Sequence, residues 1–167
     1  MEVSKVYTFD GGTVQYFSNG KPFFRKMLDK SSRNEYHIAK LIHMHPQPNI
    51  VTMFDCTPNY IEMELLDVFH RDKSTMEKDI RAAIDQLHSL NVVYIDVKRD
   101  NFGYSHTNGC WKLFDFDGSG IVSADACQWI VAPPEWAMYK KIKHLEKPPL
   151  TDIDYVVFDF VFNKTNL

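Results

Sequence analysis

Apolar residues alternate with polar ones along the first part of the chain and then shift to three- and four-residue spacing, so strands precede helices. Val6-Tyr7-Thr8-Phe9, Thr13-Val14-Gln15-Tyr16-Phe17 and the run from Pro22 to Leu28 read as three strands, with turn signals at Asp10-Gly11-Gly12 and Ser18-Asn19-Gly20. Asn-Gly between two aromatic runs is a strong hairpin signal. Glu35, Ile38, Ala39 and Ile42 lie at helical spacing, and that helix should stop before Pro46. Ile50-Val51-Thr52-Met53-Phe54 and the run from Asn59 to Leu65 predict another antiparallel pair. The pattern predicts a five-stranded sheet carrying one helix.

The composition changes between Leu65 and Lys73. Ser74-Thr75-Met76-Glu77 is a candidate capping box, opening a helix with the apolar stripe Ile80, Ile84 and Leu87. Short strands around Val92-Val93 and Leu113-Phe114 frame a polar loop. The segment from Asp152 to Phe160 reads as a strand by propensity, and the aromatic run from Tyr155 to Phe162 reads as core. No internal repeat or low-complexity segment is present. The fold class is α+β.

Composition narrows the function classes. The 167 residues suffice for one domain or a tight pair of lobes, and 44% apolar with 14% aromatic residues describes a folded chain. A net charge of −3 offers no basic field for nucleic acid. No run is long enough to span a membrane, and Met1 to Lys5 lacks the apolar core of a signal peptide. Cys56, Cys110 and Cys127 are few and widely spaced, which fits a reducing compartment and a cytoplasmic location. Asn163-Lys164-Thr165 matches the glycosylation pattern by chance in such a setting. His37, His43 and His45 match no metal-binding spacing and read as surface or helix-end residues.

Chemistry concentrates in Tyr94-Ile95-Asp96-Val97-Lys98-Arg99-Asp100-Asn101 and in Phe114-Asp115-Phe116-Asp117-Gly118. Taken singly, Asp96, Lys98 and Asn101 also fit a solvated turn. With Asp115 nineteen residues after Asp96, a short hairpin can return the second carboxylate to the first, and the set can hold a hydroxyl, a phosphate and a divalent cation together.

The segment from Leu87 to Asn101 resembles the catalytic loop of the protein kinases, His-Arg-Asp-x-Lys-x-x-Asn, with Tyr94-Ile95 in place of His-Arg. Asp115-Phe116-Asp117 resembles the metal-binding Asp-Phe-Gly motif, with Asp117 at the glycine position and either a shifted turn or an unusual dihedral at Asp117. The resemblance implies that Asp96 orients the attacking hydroxyl, Lys98 neutralises the moving phosphoryl group, and Asn101 and Asp115 hold magnesium, or manganese. Phe24-Arg25-Lys26 resembles the end of the third kinase strand. Lys26 would then contact the ATP phosphates, and Glu35 would pair with it; read alone, the two are an ordinary surface pair. His45-Pro46-Gln47-Pro48-Asn49-Ile50-Val51 resembles an expanded His-Pro-Asn-Ile-Val link. In that register Met63 is the gatekeeper, and Glu64 and Leu65 offer backbone groups to adenine. Pro133-Pro134-Glu135 resembles Ala-Pro-Glu, and Asp152 resembles the helix-start aspartate that ties the catalytic loop in place, so the resemblance implies a buried helix and not a strand from Asp152 to Phe160. His70-Arg71-Asp72 spells the catalytic tripeptide, but Glu77 stands where Asn is needed, so it reads as a solvated connector.

The likeness runs from about Lys26 to Asp152 and is strongest from Leu87 to Asp117. No Gly-x-Gly-x-x-Gly appears, and only twenty residues separate Asp115 from Glu135, so switching by activation-segment phosphorylation is not expected. The resemblance implies a two-lobed kinase-like fold, with an N-lobe at 1–66 and a truncated, mainly helical C-lobe at 67–167, of the viral or bacterial-effector type. It implies transfer of the ATP γ-phosphoryl group to a serine or threonine of a protein substrate, in the host cytoplasm if the chain is viral or an effector. The alternatives are a pseudokinase that binds or mimics a host kinase or ubiquitin-pathway protein, and a small-molecule phosphotransferase. An apolar face left by absent helices would predict association with another chain.

Overall fold

The computed structural model describes residues 6–9, 12–16, 20–29, 33–136 and 152–163. Strands β1 (Val6–Phe9), β2 (Gly12–Tyr16), β3 (Pro22–Met27), β4 (Met53–Cys56) and β5 (Tyr60–Glu64) form one antiparallel sheet in the order β1-β2-β3-β5-β4. Helix α1 (Arg33–Met44) ends before Pro46 and buries Ile38, Ala39 and Ile42, the face that the spacing predicts. Asp10-Gly11 and Ser18-Asn19 lie outside the described residues; Gly20 has φ +79°, which a glycine adopts at no steric cost. The strand expected from Ile50 begins later, at Met53. Ile50 instead makes a parallel bridge to Leu113, and Val51 N–H donates to the Leu113 carbonyl at 2.9 Å, so a distant segment takes the backbone groups that a longer hairpin would use.

The second part of the chain starts at α2 (Met76–Ser89), whose Ile80, Ala83, Ile84 and Leu87 are fully buried. The expected capping box does not form. Thr75 precedes the helix without a side-chain cap bond, and its hydroxyl donates to the Asp79 carboxylate at 2.8 Å. β6 (Val92–Val93) leads into the polar loop and a single 3-10 turn, Arg99–Asn101. β7 (Phe102–Ser105) and β8 (Cys110–Leu113) form the short hairpin that the spacing requires. β9 (Gly120–Val122) lies between β6 and β10 (Trp129–Val131) in a three-stranded sheet.

The segment from Asp152 is a helix, α3 (Asp152–Asn163), as the resemblance implies and against the strand of its propensity. Asp154 and Phe158, four residues apart, face inward, whereas Val156 (67% exposed) and Phe160 (56% exposed) face out. The aromatic run is therefore only partly core. Packing decides the conformation: α3 lies on α2, with Arg81 4.2 Å above the Tyr155 ring and the Tyr155 hydroxyl donating to Asp85. One apolar core runs from Ile38 and Ile61 through Ile84 and Leu87 to Leu113, Phe116 and Phe158, joining both parts of the chain. Among the described residues, no helix is long and apolar enough to cross a membrane.

Candidate active site

Three elements converge on one ammonium group. Lys26 near the end of β3 places Nζ 2.8 Å from Glu35 Oε1 in the first turn of α1, and 2.7 Å from Asp115 Oδ1 in the loop after β8. Burial pulls the Lys26 pKa down, but the two carboxylates outweigh it and hold the ammonium firmly charged. Glu35 is 1% exposed. Burial pushes its carboxyl up to about 6 against the pull of Lys26, with Asp115 and Asp117 adding to the rise. Its second oxygen, Oε2, is buried without a hydrogen-bond partner. Glu35 is buried and Lys26 half-buried, so this is not the exposed surface pair of the alternative reading.

Asp96, Lys98 and Asn101 form a second cluster on the loop between β6 and β7. Lys98 Nζ lies 2.7 Å from Asp96 Oδ2, and Asn101 Nδ2 donates to the Asp96 carbonyl and to Oδ2 at 3.1 and 3.2 Å. Burial lowers the Lys98 pKa, but its bond to Asp96 and that residue's charge leave it raised overall. The two clusters meet: Phe114 N–H donates to the Asn101 carbonyl at 3.1 Å, beside Asp115. Asp117 has its pKa raised by burial and then by the Asp115 charge, with Lys26, Asp96 and Lys98 also acting on it. Both lysines and all three aspartates thus share one electrostatic neighbourhood.

The backbone around this site is strained and pinned. Ile95 has φ +67° and Asp115 has φ +63°. For a β-branched residue the left-handed region costs about 1–3 kcal/mol. Asp154 of α3 holds the loop, because its two oxygens accept from Tyr94 N–H at 2.8 Å and Ile95 N–H at 2.7 Å, and Oδ2 also meets His88 Nε2 at 2.9 Å. Asp152 was the expected anchor; it is exposed, and the anchoring residue is Asp154, two positions on. Tyr94 is buried, donates its hydroxyl to the Phe114 carbonyl at 2.5 Å, and meets the Phe116 ring edge-on at 5.8 Å. The unusual dihedral expected near Asp117 falls at Asp115 instead. Asn34 at the start of α1 donates to the Asp117 carbonyl at 2.8 Å, which fixes the peptide there in another conformation.

Met63 is buried opposite Phe24 on the β3–β5 ladder. Glu64 N–H donates to the Thr52 carbonyl at 2.9 Å, so of its two backbone groups the N–H is already engaged. The Glu64 carboxylate turns to Lys112, at 2.9 Å from its Nζ, and accepts from Ser105. Leu65, just past β5, is partly exposed. Glu135 is exposed beyond β10. His43 Nδ1 meets the Met53 carbonyl at 3.1 Å, and His37 and His45 are exposed, in keeping with helix-end residues. Sequence reasoning missed Asn34, Asp154, Lys112 and Ser105. None carries a motif, and their partners lie between 41 and 85 residues away along the chain, with only the polar residue at a buried helical position to hint at Asp154.

No protein family model matches the chain. It is similar to serine/threonine-protein kinase DCLK1 of Rattus norvegicus, 32% identical over 130 residues that take in 63% of this chain and 30% of that protein. The Mus musculus protein of the same name is likewise 32% identical over 130 residues, taking in 63% of this chain and 17% of its own length. The chain therefore spans less than a third of the curated relatives it matches. The likeness is weak and partial, and points to the kinase superfamily alone.

Proposed function

We propose that the chain adopts a two-lobed kinase-like fold and transfers the ATP γ-phosphoryl group to a serine or threonine hydroxyl of a protein. The observation that carries this reading is the Lys26 ammonium held between Glu35 at 2.8 Å and Asp115 at 2.7 Å. Phosphoryl transfer asks little covalent chemistry of the protein; it asks for alignment and concentrated positive charge.

Lys26, fixed by two carboxylates, would meet the α- and β-phosphates. Asp96, held by Lys98 and Asn101, would orient the hydroxyl and take its proton. Lys98, half-exposed at its tip, would follow the charge on the moving group. The donor set suits a hard cation: Asp115 offers carboxylate oxygen, and Asn101, whose amide nitrogen is spent on Asp96, offers Oδ1. Magnesium or manganese held there would neutralise phosphate charge. Lys98 favours a protein hydroxyl over a metabolite as acceptor, by the resemblance of its spacing to serine/threonine kinases.

A binding role through the outer face of α3 is the second reading, favoured by the exposure of Val156 and Phe160. Both readings assume a cytoplasmic setting.

Transfer from radiolabelled ATP by wild type and by Asp96→Ala separates these readings. Labelling of protein by wild type, lost in Asp96→Ala, is the expected result. Absence of both transfer and nucleotide binding supports the binding module, and labelling of a metabolite alone supports a small-molecule phosphotransferase.

A further inference from the structure

We propose that Asp67, His70 and His106 form a binding site for a zinc-type divalent cation, where the segment leaving β5 meets the β7–β8 hairpin. One ligand atom from each residue lies within 4.8 Å of the other two. His106 Nε2 stands 3.1 Å and His70 Nδ1 3.6 Å from the same oxygen, Asp67 Oδ2. Ligands about 2.0–2.1 Å from a tetrahedral zinc ion stand about 3.3 Å from one another, so these separations already approach those of a filled site. Two imidazoles and a carboxylate are zinc chemistry; magnesium and calcium take oxygen donors. Three protein ligands leave the fourth position to water.

The ligands are held by their surroundings as well as by one another. Asp67 and Tyr104 exchange backbone hydrogen bonds at 2.9 and 3.0 Å, fixing the segment after β5 against β7. The second Asp67 oxygen, Oδ1, accepts from Phe69 N–H at 3.0 Å, which orients the carboxylate and turns Oδ2 to the two rings. The His70 ring stacks on Tyr104 at 3.8 Å, nearly parallel at 8°, and meets Trp111 edge-on at 5.8 Å. His70 is therefore packed, whereas Arg71 and Asp72 of the same connector are exposed. The site has no part in the proposed phosphoryl transfer and stands without it. A cation there would tie the segment following β5 to the turn end of the hairpin, opposite the end that follows Asn101.

The test titrates the metal-stripped full chain, without nucleotide, with Zn2+ against a chromogenic chelator, and with Co2+ read by its visible absorption. The expected result is one equivalent bound, with a tetrahedral Co2+ spectrum. His106→Ala, at a side chain 68% exposed, and His70→Phe, which keeps the stacked ring, each weaken binding more than about tenfold. Asp115→Asn and the triple variant His37→Ala/His43→Ala/His45→Ala bind as wild type does. Failure of wild type to hold an equivalent overturns the proposal. So does binding unchanged in both His106→Ala and His70→Phe, or loss confined to the triple variant.

Discussion

Ile95 donates its backbone N–H to Asp154 Oδ1 at 2.7 Å while standing at φ +67°, so one helix carboxylate fixes a left-handed turn immediately before Asp96. The turn sets the direction in which the Asp96 side chain leaves the loop, and the fully buried carboxylate also takes Tyr94 N–H and His88.

Removing that carboxylate strands two buried N–H groups and frees the strained turn. Asp154→Ala should cost about 3–5 kcal/mol of folding stability. Asp152→Ala, at an exposed position, should stay within about 0.5 kcal/mol of wild type. Urea unfolding of the two variants decides between the residues, and equal costs would refute the anchoring role.

Glu35 makes stability depend on pH in a stated direction. Its folded pKa is about 6 against an ordinary 4.5, raised first by burial. Between those values the native state holds the proton that the unfolded state has released, so stability falls as pH rises through the window. The contribution is full below 4.5 and lost above about 6. Glu35→Gln lacks this slope. Its stability relative to wild type should therefore rise by about 2 kcal/mol from about pH 3.5 to about pH 7, read from urea midpoints. Parallel profiles would remove Glu35 as the titrating group.

Lys112 and Glu64 form a buried pair at 2.9 Å, supported by Thr52 and Ser105. Lys112→Met alone leaves the Glu64 carboxylate without its cation and should cost about 3–5 kcal/mol. Adding Glu64→Gln should recover most of that loss, because no uncompensated charge remains. A double-mutant cycle measures the coupling, and additive costs would mean that the ions act independently.

Gly103 is required by close approach and not by its dihedral. A Cβ there would stand 2.5 Å from Leu66 Cβ, and no rotamer change at either residue relieves a contact between two β-carbons. Gly103→Ala should cost about 1–3 kcal/mol and weaken the adjacent Asp67–Tyr104 bridge. A thermal midpoint unchanged from wild type would show that the two segments can part freely.

The first five strands and α1 were legible because local rules agree there: alternation, Asn19-Gly20, helical spacing from Glu35 to Ile42, and a proline stop at Pro46. Asp96, Lys98, Asn101 and Asp115 stood out as a polar set at fixed spacing, and Lys26 and Glu35 were named through the resemblance; the structure gathers them into two clusters joined by the Phe114–Asn101 backbone bond. Where the reading failed, a distant partner had overruled a local preference. Leu113 took the backbone of Ile50 and Val51, and packing on α2 overrode the strand propensity of α3, whose helix only the resemblance implied.

By itself, the sequence determined the element types of the first sheet and marked the polar side chains on which the proposed chemistry rests. Only the tertiary structure decided that Asp154 and not Asp152 ties the loop, that Asp115 and not Asp117 takes the left-handed backbone, and that Asp67, His70 and His106 face one point. Periodicity and turn chemistry act over a few residues and are written in their order. A hydrogen bond or a shared ion between residues 36 or 59 positions apart depends on how packed elements meet in space, which no local pattern encodes.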